Sequence, residues 1–229
     1  MMEIKPIAYY RSQLPTKFGV PRQSGLVPEL VGRILFEPKY ANADALRGIE
    51  GFDYLWLIWE FSLNGKKEGE WSPLVRPPLL GGNEYVGVFA TRSPFRPNPL
   101  GLSSVRLLGV EDGSDGLALL VAGADLVDGT PIYDIKPYVV YADTHVGVRS
   151  GFVDEKRWQK VEVRFPTELR TCFSDKDFSA LCKVLELDPR PQYHNDPERV
   201  YGMPFAGRDV RFKVSSEGVL EVIDVKAES

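Results

Sequence analysis

Cysteine and histidine are nearly missing from this chain of 229 residues, which has two of each. Cys172 and Cys182 stand ten residues apart, a spacing that fits neither a zinc site nor a disulfide framework. Cys182 falls on the apolar face of a predicted helix, the setting of a buried free thiol. His145 and His194 are far apart in sequence, which excludes a His-rich metal site, and no signature pairs a cysteine with a histidine for nucleophilic chemistry. No G-x-G-x-x-G follows a strand, so a Rossmann dinucleotide site has no support. No apolar run approaches membrane-spanning length, and the opening Met-Met-Glu-Ile-Lys-Pro lacks an apolar signal region. The expectation is a cytoplasmic protein with no membrane partner and no metal. Excess positive charge is missing too: 28 Lys and Arg against 32 Asp and Glu leave a net charge of −4. Bulk electrostatics therefore do not advertise nucleic acid, although a local basic patch can bind it on an acidic protein.

What remains is an ordinary globular balance, 43% apolar and 26% charged, in a length that fits one large domain or one and a half. Residues 1–145 read as mostly β. Short apolar runs at 4–10, 32–36, 54–61, 85–90, 102–110, 117–124 and 137–141 are separated by Gly, Pro and Asp clusters, the pattern of a barrel or sandwich. One short helix is expected at 43–49, with Asn42 as its N-cap. Residues 146–159 read as a linker. In residues 160–229 the pattern changes to a small α+β unit. Alternation at 160–165 predicts a strand, and Ser174 with Asp177 predicts the start of an amphipathic helix carrying Phe178, Leu181, Cys182 and Leu185. Asp188-Pro-Arg-Pro191 ends that helix. A hairpin, 208–214 and 219–225 around the turn 215–218, closes the chain.

The run Thr91-Arg-Ser-Pro-Phe-Arg-Pro-Asn-Pro-Leu-Gly101 packs two arginines, three prolines and an asparagine into eleven residues. Ser93, Arg96 and Asn98 each precede a proline and are held extended, so the segment is a stiff loop. It can be a plain connector, or it can present guanidinium groups at fixed positions for a carboxylate or phosphate. Three further segments stand beside it: Arg11-Ser12 with Lys17-Phe-Gly-Val-Pro-Arg-Gln23, Gly51-Phe-Asp-Tyr-Leu-Trp-Leu-Ile-Trp-Glu-Phe61, and Asp125-Leu-Val-Asp-Gly-Thr-Pro-Ile-Tyr-Asp-Ile-Lys-Pro-Tyr138.

Together these segments resemble the TsaA-like family, most closely its bacterial tRNA N6-methyltransferase branch of the TrmO type. The resemblance spans about residues 3–141 and continues into Asp188-Pro-Arg-Pro-Gln-Tyr193. It implies a closed, non-Rossmann β-barrel that binds S-adenosylmethionine, a homodimer, and methyl transfer to N6 of threonylcarbamoyladenosine at position 37 of tRNA. The small C-terminal domain is then expected to help hold the tRNA. The cofactor residues the resemblance implies are Arg22, Gln23 and Ser24; Phe61 and Ser62; Arg92; Leu102; and Asp128, Gly129, Thr130, Pro131 and Ile132. Two departures stand out. Ser62 occupies a place where members often carry His, which removes a titrating group, and Leu14-Pro15-Thr16 replaces charged residues.

These residue types suit the roles. Arg92 on a stiff loop can clamp a carboxylate with two parallel bonds. Asp128 can accept from ribose hydroxyls, and Gly129 permits close backbone approach, although Asp-Gly is also an ordinary turn. For the tRNA, Lys17, Arg76, Arg96, Lys136, Arg190, Arg208 and Arg211 are candidate phosphate contacts, and Tyr138 a stacking partner that could equally pack the barrel. The N6 of a threonylcarbamoylated adenosine is urea-like, so its proton must be removed or polarised. Asp134 and Asn98 are the candidates, with Asp134 alternatively an ion-pair partner of Lys136 or Arg96. A non-catalytic barrel that holds S-adenosylmethionine or another anion in a regulatory or tRNA-chaperone role is the other reading.

Overall fold

The computed structural model describes residues 3–63, 71–156, 158–191, 194 and 196–227. Gln192 and Tyr193 of the tail motif lie outside the described residues.

Strict alternation builds the first sheet. Strand β3 (Tyr54–Glu60) turns Leu55, Leu57 and Trp59 inward and Tyr54, Trp56 and Ile58 outward. Around it stand β1 (Ala8–Arg11), β2 (Val31–Phe36), β6 (Leu100–Gly113), β7 (Gly116–Ala122) and β8 (Pro131–Pro137), and a two-stranded ribbon of β4 (Leu74–Val75) and β5 (Val86–Gly87) lies between β3 and β6 in sequence. The ladder runs β1-β2-β7-β6-β3-β8 and returns to β1, a closed barrel. Its interior is filled by Tyr10, Ile34, Leu55, Leu57, Leu119, Val121 and Ile132, among others.

Several sequence expectations shift. Residues 85–90 are extended only at Val86–Gly87 and then turn through a 3₁₀ segment, Val88–Ala90, because the Val88 carbonyl accepts from both Thr91 N (3.1 Å) and Thr91 Oγ1 (2.8 Å). Of residues 137–141 only Pro137 is in a strand, as the last residue of β8. The strand lies earlier, as β8, and Val140–Asp143 forms a helical turn whose Asp143 carboxylate accepts from Val139 N at 2.7 Å. The helix expected at 43–49 is two 3₁₀ turns, Ala43–Leu46 and Ile49–Gly51, divided by Gly48 at φ +88°. Asn42 does cap the first, accepting from Asp44 N at 2.9 Å.

The C-terminal unit is a sheet of order β10-β11-β12-β9, made of β9 (Glu162–Arg164), β10 (Tyr201–Phe205), β11 (Arg208–Val214) and β12 (Val219–Ala227). β9 pairs parallel to β12, and the other pairs are antiparallel. The helix Asp175–Glu186 buries Ala180, Leu181, Val184 and Leu185, and Ser174 Oγ caps it by accepting from Asp177 N at 3.1 Å. Both cysteines are free and half-buried, and burial, reinforced by Glu186, pushes the Cys182 thiol pKa up. Strand β10 escaped the sequence reading because Gly202 and Pro204 interrupt it. An edge strand tolerates both, since its outer side needs no ladder hydrogen bond.

The second core is not closed by the C-terminal unit alone. Leu14, Val27 and Leu30, from the long connection between β1 and β2, are buried in it, with Phe18 and Val20 packed alongside. Phe18 stacks on Tyr201 and Phe212 at ring separations of 6.4 and 6.2 Å. Gly19 has φ +97°, and a Cβ there would sit 2.5 Å from Met203 Sδ, so only glycine lets the backbone lie on that side chain.

Candidate active site

At one end of the barrel a cleft of about 480 Å³ opens, within the range of small-molecule sites. Register puts its floor there. Trp59 pairs with Gly101, Ile58 with Leu102 and Glu60 with Leu100, so the end of β3 and the start of β6 meet at the cleft. A Cβ on Gly101 would lie 2.2 Å from the Trp59 indole, so the closing glycine of the Pro-rich loop is required by close approach of an aromatic ring. The other walls are residues 17–23, the loop carrying Arg92, Pro94 and Arg96, and the turn that contributes Asp125, Val127 and Thr130.

The Pro-rich loop is fixed by its own side chains as well as its prolines. Arg96 Nε donates to Ser93 O at 2.8 Å and its Nη2 to Thr91 O at 2.6 Å. Arg96 therefore faces the cleft while fastening the loop that presents Arg92. Arg92 itself donates to the Gln23 side chain across the cleft, joining two walls. Asn98 is exposed and off the cleft, and its carbonyl accepts from Leu100 N at 2.7 Å.

Of the expected cofactor residues, Arg22, Gln23, Phe61, Ser62, Arg92, Leu102 and Thr130 line the cleft. Ser24, Asp128, Gly129, Pro131 and Ile132 do not. Asp128 knits the turn to β1 instead: its carboxylate accepts from Ser12 N at 2.9 Å and lies 3.6 Å from Arg11. Gly129, at φ +76°, donates its N–H to Tyr10 O at 2.7 Å, and Ile132 is fully buried in the core. Asp134 is also off the cleft, in an ion pair with Lys136 at 2.9 Å.

Two lining carboxylates were missed, Asp125 and Glu60. Asp125 Oδ1 accepts from Ser103 Oγ at 2.5 Å, and that buried hydroxyl accepts from Trp59 Nε1 at 2.9 Å. Burial raises the Asp125 pKa against the opposing pull of Ser103, the Asp125 and Ser24 backbone amides, and Arg92. Glu60 accepts from the Tyr133 hydroxyl, and burial followed by Glu60 pushes the Tyr133 phenol up to about 12. The available signal for Asp125 was an acid placed directly after the apolar run 117–124, where a strand leaves the core.

The remaining basic candidates are dispersed. Lys17 lines the cleft. Arg76 stacks on Tyr85 at 4.5 Å, Arg190 pairs with Asp188 at 3.0 Å, and Arg211 pairs with Asp209 at 3.0 Å. Arg208 opens β11 opposite Phe205. Tyr138 packs on Trp56 at 5.6 Å and shares a 3.0 Å hydrogen bond with Thr144. Among the described residues no group of three or more His, Cys, Asp or Glu could hold a metal, and no helix is long and apolar enough to cross a membrane.

The fold is mostly β, without a Rossmann sheet, and its cleft of small-molecule size carries an arginine, Arg92, and a carboxylate, Asp125, in one lining. Sequence comparison makes this specific. The chain belongs to the TrmO family: the tRNA-methyltransferase O N-terminal domain matches residues 9–144 and the TrmO C-terminal domain matches residues 158–228. It is 38% identical to the tRNA (adenine(37)-N6)-methyltransferase of Escherichia coli over 94% of both chains. It is 37% identical to Pseudomonas aeruginosa RcsF, provisionally described as an S-adenosylmethionine-dependent methyltransferase, over 97% of this chain and 96% of that one. The crystal structure of TrmO from Pseudomonas aeruginosa superposes with a TM-score of 0.79 at 31% identity, covering 99% of this chain and 100% of the other.

Proposed function

We propose that this chain is an S-adenosylmethionine-dependent methyltransferase acting on N6 of adenosine 37 in tRNA, with the threonylcarbamoylated base as acceptor. The observation that carries the reading is the Arg92–Asp125 cleft, found in a full-length match to enzymes named for this reaction. The bound cofactor supplies the electrophilic methyl group. Its size and charges suit the site: Arg92 offers a fork for the α-carboxylate, Asp125 an anion for the α-ammonium, and Trp59 and Phe61, 4.3 Å apart, an aromatic floor. Holding donor and acceptor in line is the main catalytic task of such a transfer. Glu60 is the lining carboxylate left to receive the N6 proton. Asp134 and Asn98 lie outside the lining, so either reaches the reaction only if tRNA or a second subunit completes the site.

The outward face of β3, β6 and β8 supports a homodimer, because Tyr54, Leu102 and Leu108 are exposed there beside Trp56 and Tyr138. With tRNA as substrate, the enzyme works in the cytoplasm. Labelled S-adenosylmethionine incubated with tRNA, with and without the threonylcarbamoyl group, tests the reading. Label on modified tRNA alone is expected. Cofactor binding with no transfer to either tRNA points instead to a non-catalytic binding module.

A further inference from the structure

The tail motif Asp188-Pro-Arg-Pro191 is left without a role by the cofactor reading, and its geometry supplies one. Asp188 adopts φ +49° and is 7% exposed, and both its carboxylate oxygens accept from Arg190 Nε, at 3.0 and 3.1 Å. A non-glycine residue in this backbone region persists only when its surroundings hold it there. The turn so fixed presents two successive carbonyls to Arg22, whose Nη1 donates to Leu187 O at 2.7 Å and Nη2 to Asp188 O at 2.8 Å. The Arg22 guanidinium also lies 3.7 Å over the Trp158 ring. Burial pulls its pKa below the ordinary value, opposed by Asp188.

Arg22 belongs to the cleft wall, and the next residue, Gln23, accepts from Arg92. Contacts thus run from Arg190 through Asp188, Arg22 and Gln23 to Arg92. The wall at 17–23 pairs with no strand and depends on such fastenings. Others lie nearby: Ala206 N donates to Gln13 O at 2.9 Å, and Leu14 is buried in the second core.

We propose that the C-terminal unit is part of the framework of the cofactor cleft, with Arg22 as a positioning residue through which the turn at 187–190 fixes Gln23 and Arg92. This rests on the cofactor reading above for the ligand used in its test. A planar fork bonded to two carbonyls sets orientation as well as position, which an ammonium cannot do.

The test uses the full-length protein without tRNA. Calorimetric titration with S-adenosylmethionine compares the wild type with Arg22→Ala, Arg22→Lys, Arg190→Ala and the Arg22→Ala/Arg190→Ala double variant, each checked for native melting. Arg22→Ala and Arg190→Ala are each expected to weaken binding on the order of tenfold. Arg22→Lys should not restore it, and the double variant should bind no more weakly than Arg22→Ala, since both break one linkage. In turnover assays, KM for the cofactor should rise by a larger factor than kcat falls. Wild-type affinity in Arg190→Ala beside a loss in Arg22→Ala overturns the proposal, because Arg22 then touches the ligand directly. Hydrogen exchange supplies a ligand-free readout: the amides of residues 17–25 should exchange faster in Arg190→Ala, and unchanged protection there also overturns it. A wild type that binds no cofactor refutes the cofactor reading and leaves the exchange result to decide the latch.

Discussion

Arg92 carries the proposed recognition of the cofactor carboxylate from the lining of the cleft. It is presented by a loop stiffened by three prolines and fastened by Arg96, so little entropy is lost when it engages a carboxylate. Arg92→Ala should weaken S-adenosylmethionine binding by about 2 kcal/mol, the scale of a charge-assisted hydrogen bond, with native stability retained. Calorimetry checks this, and equal affinity in the variant excludes the assigned role. Asp125 makes a pH-dependent prediction. Burial raises its folded pKa above the unfolded value, so the native state holds the proton more tightly. Its contribution to stability is fully present below the unfolded pKa, near 3.9, and is lost as pH rises through the raised folded value. The stability difference between wild type and Asp125→Asn should therefore move against the wild type as pH is raised from about 4. Parallel urea titrations across pH read this directly, and a pH-independent difference contradicts it.

Gly101 links loop to strand at the scale of elements. Pairing with Trp59 puts the indole where a Cβ would stand, so Gly101→Ala must displace the ring or the strand. We expect a loss of roughly 1–3 kcal/mol in denaturant unfolding, as for overpacked cores, together with weaker cofactor binding because Trp59 lines the cleft. Most elements were legible. The strands β2, β3, β6 and β7, the capped helix and the closing hairpin follow from alternation, helical spacing and turn residues. The failures share a cause. Val88–Ala90 and residues 140–142 are apolar, but a Thr91 hydroxyl and an Asp143 carboxylate offer the neighbouring backbone local partners, so both segments turn. Strand β10 carries Gly202 and Pro204, and its neighbour β11 supplies the pairing that local propensity withholds.

For the whole molecule, the interlocked second core has a consequence for independent folding. Leu14, Val27 and Leu30 fill a core whose other members come from residues 180–222. A fragment spanning 158–227 would expose those contacts, and small units lack apolar burial to spare. It should lack the dispersed amide spectrum of a folded protein, and a native-like spectrum from the fragment alone contradicts this. The intact chain should instead melt in one cooperative transition, with the C-terminal unit never unfolding first.

Sequence by itself determined the mostly β composition of residues 1–145, the stiffness of the Arg92 loop, the capped helix and the motifs that place the chain in its family. These are local properties, written in periods of two and 3.6 and in the fixed φ of proline. Only the tertiary structure decided which motif residues share the cleft. Asp128 and Asp134 stand in legible motifs, yet one ties a turn to β1 and the other pairs with Lys136, while Asp125 and Glu60 face the cleft. Only the structure, too, joined Arg22 to the carbonyls of Leu187 and Asp188. Such choices depend on strand register and on contacts between residues more than a hundred positions apart, and neither leaves a local pattern in the chain.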